Sequence, residues 1–183
     1  MPDSVPLAHS WHRATDAILR PVETAAAIAG GAVMLLAMVL TSLDAILRYA
    51  VNKPLSFNLF FTENYLMVTL ICLPLAWAFR SGGYIRIRFL HDRLPTRYAD
   101  LLIRTGLLAS FLLIADLAWL AGHQWHKAYK TNEIVMDVLD WPMHLSWIWV
   151  PIGLWLLALR LLMTALGPRD QLLFQHDIEE EGL

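Results

Sequence analysis

Leu55 to Phe79 is a run of 25 residues with a single charge, Glu63, and it ends in Arg80-Ser81-Gly82-Gly83-Tyr84-Ile85-Arg86-Ile87-Arg88, three arginines within nine positions. A helix rises about 1.5 Å per residue, so roughly 20 apolar residues cross a hydrocarbon core of about 30 Å. The run is therefore long enough to span a membrane. Its arginine-rich exit follows the positive-inside bias and assigns that end to the cytoplasm.

The rest of the chain is built to match. Of its 183 residues 57% are hydrophobic and only 16% charged, with a mean hydropathy of +0.49. A soluble domain of this length carries more charge. Four spans are expected, at about residues 22–47, 57–79, 101–124 and 144–166, giving an all-α integral membrane protein. An even number of spans puts both termini on one side. Near the inner boundaries stand Arg13, Arg20, five loop arginines, Arg160 and Arg169; outside stand Arg48, Lys53, Lys127 and Lys130. That asymmetry predicts cytoplasmic termini. The net charge is -2, and the basic residues sit at membrane boundaries rather than along one face, so nucleic acid is excluded as a partner. The single cysteine, Cys72, excludes an intrachain disulfide and any CxxC site.

The chain then divides into residues 1–20, a membrane domain at 21–167 and a cytoplasmic tail at 168–183. In the first segment Leu7, Trp11, Ala14 and Ile18 share one helical face, with His12, Arg13, Asp16 and Arg20 elsewhere. A short amphipathic helix in the cytoplasmic interface is expected, separated from the first span by Pro21. Thr24 to Leu43 is 20 residues without a charge, too long for the apolar region of a cleaved signal peptide. Ala26 with Gly30 and Ala27 with Gly31 are spaced to let another helix approach closely. Asp44 and Arg48, four apart, are expected to pair locally. Pro74 is expected to kink the second span, and Trp155, mid-span, to pack against another helix.

Charges inside spans cost free energy in lipid and mark contacts. Glu63 lies about two turns into the outer half of the second span, and Asp116 close to the middle of the third. Each reads either as an ion or proton ligand or as a partner for a cation on another helix or subunit. Arg160 lies within snorkelling reach of the inner surface. The inner loop interleaves Arg80, Arg86, Arg88, Arg93 and Arg97 with apolar residues, a pattern suited to anionic phospholipid headgroups. Trp77 sits at the inner boundary as an aromatic anchor, and Trp119, Trp125 and Tyr129 form an outer belt. The outer loop from Lys127 to Trp141 is the longest external segment.

Catalytic motifs are missing: there is no GxSxG, HExxH, P-loop or glycine-rich dinucleotide turn. Seven histidines leave room for a haem-binding anchor of a redox complex, with His123, His126 and His144 near one depth, but His91 has no clear helical partner toward the other face. A small stand-alone transporter coupled through Glu63 or Asp116 is the other alternative; no inverted repeat or broken-helix pair supports it.

Several features in order resemble a known family, the small four-helix membrane subunit (DctQ-like) of tripartite ATP-independent periplasmic (TRAP) transporters. They are Glu63 early in span two, the closing Ala76-Trp77-Ala78-Phe79-Arg80, the turn Gly83-Tyr84-Ile85-Arg86-Ile87, Leu94-Pro95, and the late Trp141-Pro142 followed by Pro151-Ile152-Gly153. Tyr84 and Arg88 stand where the family often has a histidine and an acid. The resemblance implies a non-catalytic scaffold without metal or cofactor. It also implies a large membrane subunit and a periplasmic substrate-binding protein as partners, and sodium-coupled uptake of organic acids at the bacterial inner membrane. Contacts with subunit or lipid are expected at Glu63, Trp77, Arg80, Arg86, Arg88, Asp116 and Arg160, and periplasmic docking at Lys127, Lys130 and Glu133.

Orientation is testable with single cysteines replacing Asn52 or Ser81 in a Cys72→Ala background. A membrane-impermeant maleimide added to spheroplasts should label position 52 at once and position 81 only after the membrane is opened; the reverse order would invert the topology.

Overall fold

A computed structural model describes residues 8–82, 96–131, 134–135 and 141–167. Arg86, Arg88 and Glu133 lie outside them, as does most of the inner loop. Among the described residues four helices are long and apolar enough to cross a membrane. They are α1 (Ala8–Ala50), α2 (Asn58–Arg80), α3 (Thr96–Thr131) and α4 (His144–Leu166). Between α3 and α4, β1 (Ile134–Val135) pairs antiparallel with β2 (Trp141–Pro142).

Two helices run longer than the sequence reading expects. With 43 residues α1 measures about 65 Å, and with 36 residues α3 measures about 54 Å. Residues 8–20 are helical but continuous with the first span, because Pro21 lies inside α1 rather than ending it. Proline removes one N–H and crowds the preceding turn. The turns on both sides are held from outside: before the proline Arg80 Nη1 donates to the Arg20 carbonyl at 3.3 Å and Arg160 grips Asp16 at 2.5 Å, and after it Arg80 Nη2 donates to Thr24 Oγ1 at 3.0 Å. Likewise α3 continues to Thr131, so Lys127 and Lys130 stand on its last turns instead of in a loop.

Helix α2 is locally irregular. Thr62–Leu66 is a π turn, and the regular helix is interrupted at Leu73 and Pro74 before resuming at Leu75. The Asn64 carbonyl in the π turn accepts the Ser146 hydroxyl, and Tyr65 Oη donates to the Pro142 carbonyl at 2.8 Å. These bonds tie the irregular turn to the start of α4.

The helices do not close into a ring. In order of contact they run α1, α2, α4, α3: α1 packs on α2, α2 on α4, and α4 most extensively on α3. The buried side chains follow, with Leu66, Leu73 and Ala76 on α2, Leu157, Ala158, Leu161 and Ala165 on α4, and Ala118 and Ala128 on α3. Small residues set the closest approaches, as expected where lipid supplies no hydrophobic drive between helices. A Cβ on Gly153 would run into the Cys72 carbonyl, and one on Gly30 would sit 3.1 Å from Pro74 Cδ. Gly31 has open space instead. Trp155, expected against a neighbouring helix, is exposed, because α4 turns its Leu157 and Ala158 side inward.

Adding one methyl group therefore has opposite consequences at two glycines. Gly153→Ala should force α2 and α4 apart and cost about 1–3 kcal/mol, whereas Gly31→Ala should be neutral or stabilising by up to about 1 kcal/mol. Thermal unfolding in mild detergent would read both; equal shifts would contradict the packing.

Candidate functional site

Three helices meet around one carboxylate. On α1, Asp16, Arg20 and Glu23 fall four and three residues apart and so share a face. The last residue of α2, Arg80, and Arg160 near the end of α4 come to that face. Glu23 is fully buried, with 0% of its side chain exposed. Its Oε2 lies 3.0 Å from Arg80 Nη1 and its Oε1 3.7 Å from Arg160 Nε. Arg160 Nη1 also reaches Asp16 Oδ1 at 2.5 Å, and Asp16 Oδ2 lies 2.7 Å from Arg20 Nη2. Arg80 Nη2 donates to Thr24 Oγ1 at 3.0 Å, and that hydroxyl donates to the Arg20 carbonyl at 2.8 Å.

Neither Glu23 oxygen accepts an aligned hydrogen bond, so the carboxylate is held by charge rather than by a bidentate fork. Two acids against three arginines leave the cluster with one excess positive charge. A fourth arginine, Arg104, adds a tie at this end of the molecule, donating to the Gly167 carbonyl at 3.3 Å and joining the first turns of α3 to the end of α4. Such a cluster fixes helices; it offers no nucleophile and no acid-base pair.

Arg80 and Arg160, expected at the membrane surface or a partner, are thus engaged within the chain. At the other end Asp44 and Arg48 pair at 2.9 Å, and Asp44 Oδ1 also accepts the Leu55 amide at 2.6 Å, closing the turn between α1 and α2. The aromatic residues there cluster: Trp125 stacks on Tyr129 with centroids 6.0 Å apart, and Tyr129 meets His144 edge-on at 5.5 Å. His123 and His126 are exposed. Among the described residues no three His, Cys, Asp or Glu side chains gather as metal ligands.

The remaining expected contacts among the described residues point outward. Glu63 lies in the π turn and is exposed, on a stripe with Leu59, Met67 and Ile71. Asp116, Trp77, Lys127 and Lys130 are exposed too.

A family model for the DctQ component of tripartite ATP-independent periplasmic transporters matches residues 37–169, from within α1 through the end of α4. The chain belongs to the DctQ family. This DctQ component is similar to the ectoine TRAP transporter small permease protein TeaB of Halomonas elongata, with 23% identity over 159 residues, 85% of this chain and 82% of the relative. No solved structure gives a significant match. The protein is a multi-pass membrane subunit of a TRAP transporter, and membership implies a large membrane subunit and a substrate-binding protein as partners.

Glu23 is the residue of this DctQ protein that the sequence reading overlooks. The reading starts the uncharged stretch at Thr24 and sets Asp16 and Arg20 off the apolar face of the first segment. Two signals were available: the shared face of positions 16, 20 and 23, and the arginines ending the second and fourth spans at the same depth.

Removing one member of a buried ion cluster strands the others. Arg160→Met should lower stability by about 3–5 kcal/mol, and adding Glu23→Gln should cost much less than the sum of the two single effects. Unfolding of the four proteins in detergent gives the cycle; strict additivity would mean that Glu23 and Arg160 do not interact.

Proposed function

We propose that this DctQ protein is the non-catalytic small subunit of a sodium-coupled system for organic acid uptake in the bacterial inner membrane. It holds the large transport subunit in the bilayer and helps the periplasmic binding protein to dock. The observation that carries this reading is the family match running through α2, α3 and α4. The chain's own buried charges are spent on joining its helices, which suits a scaffold better than a transport path. Substrate choice and sodium coupling are assigned to the other components. The relative is named for ectoine, so the family alone does not fix one substrate class.

In this reading the ends of the molecule have different tasks. The end with Asp16, Arg80 and Arg160 faces the cytoplasm, with the excess positive charge of the cluster, Arg86 and Arg88 meeting phospholipid headgroups and Trp77 anchoring the boundary. The opposite end carries Lys127 and Lys130 on the last turns of α3, with Glu133 beyond, as the periplasmic docking surface.

Two measurements test it. Tagged protein drawn from mildly solubilised native membranes should bring down a large hydrophobic subunit in stoichiometric amount; recovery alone, or with redox enzymes and a haem spectrum, would refute the scaffold role. Replacing both Lys127 and Lys130 by Glu should lower uptake at limiting binding protein about tenfold without changing assembly, and unchanged uptake would remove these lysines from the docking surface.

A further inference from the structure

The outward side of α3 carries a charge that no described residue of its own chain matches. Asp116 lies at the centre of the span Leu101–Thr131. It precedes the fully buried Ala118 by two residues, a rotation of about 200°, and so stands on the side of α3 turned away from α4. Leu112, Leu113 and Leu120 on the same side are all exposed, and Ala109, one turn further, is exposed and small. Among the described residues no hydrogen bond or ion pair reaches Asp116.

Among the described residues no lysine or arginine is placed to neutralise it. Arg20, Arg48, Arg80, Arg104 and Arg160 are all bound to other groups of this protein. Along α3 no lysine or arginine stands between Arg104 and Lys127, which are about 18 Å and about 16 Å from Asp116 along the helix axis, and His123 on the same side is two turns, about 10 Å, away. A carboxylate facing hydrocarbon at mid-depth is expensive, and ionisable groups there face protein, water or a counter-charge. A second copy does not supply one. A two-fold contact through this face in parallel subunits would set Asp116 against its own equivalent, like charge against like in a low dielectric.

We propose that the Asp116 face of α3 is the docking surface for a transmembrane helix of the large subunit that presents a Lys, Arg or His at bilayer mid-depth. The identity of that partner rests on the small-subunit reading above; the face and its chemistry rest on the exposure and isolation of Asp116. The leucines supply the apolar contact on either side, and Ala109 permits close approach on the inner side of the charge. The ion pair then fixes the depth at which the two helices register.

The test uses the co-expressed complex in native membranes, with a photoreactive benzophenone amino acid at Leu112 or Leu120 and, for comparison, at Val39 on α1 or Ile71 on α2. Adducts from the two α3 positions with a large-subunit peptide containing a basic residue within a membrane span are expected. In the same cells Asp116→Glu should preserve co-purification of the large subunit, and Asp116→Leu should reduce it at least tenfold while the variant remains folded and inserted. Adducts to the large subunit only from α1 or α2, with lipid alone from α3, would overturn this proposal and leave the small-subunit reading intact. Adducts from α3 to a second copy would also overturn it. No adduct and no co-purification from any position would overturn both.

Discussion

The carboxylate of Glu23, sealed between Arg80 and Arg160, is the contact on which the arrangement of α1, α2 and α4 depends. In lipid the helices gain little from hiding leucine, since the surroundings are as apolar as the side chain. Close backbone packing and polar contacts must decide which helices meet. The packing here is local, at Gly153 against Cys72 and Gly30 against Pro74. The ion cluster instead reaches three helices at once. It also explains why α1 passes Pro21 without a break: Asp16 and Arg20 before the proline and Glu23 and Thr24 after it are held by the same two arginines.

A slab follows from this, with α2 and α4 inside and α1 and α3 at the edges. The edge helices keep wide apolar sides that no described residue of the chain covers. That form suits a subunit whose work is to be held against something larger. A self-contained carrier would direct its buried charges into a central path; this chain uses them to tie its own helices together at one end and carries Asp116 and Glu63 outward.

Much of the fold is legible in the sequence because apolar length is a direct physical requirement of spanning. The four spans and the Asp44–Arg48 pair follow from hydropathy, charge sign and helical spacing. The exceptions are tertiary. Pro21 reads as a boundary because a proline in an isolated helix costs a hydrogen bond, and only the contacts from Arg80 and Arg160 offset that. Trp155 reads as a packing residue from depth alone, but orientation about the axis is set by Leu157 and Ala158. Arg160 reads as a snorkelling cation because its partners lie more than a hundred residues away. The outward direction of Asp116 required knowing which side of α3 meets α4.

The most direct measurement is a cryo-electron microscopy structure of the complete membrane complex in a lipid nanodisc. The account predicts Glu23 within about 4 Å of both Arg80 and Arg160, the ion-pair range, with the large subunit covering the Asp116 side of α3. A map in which Glu23 pairs with the large subunit, or in which that side of α3 faces lipid, would contradict it.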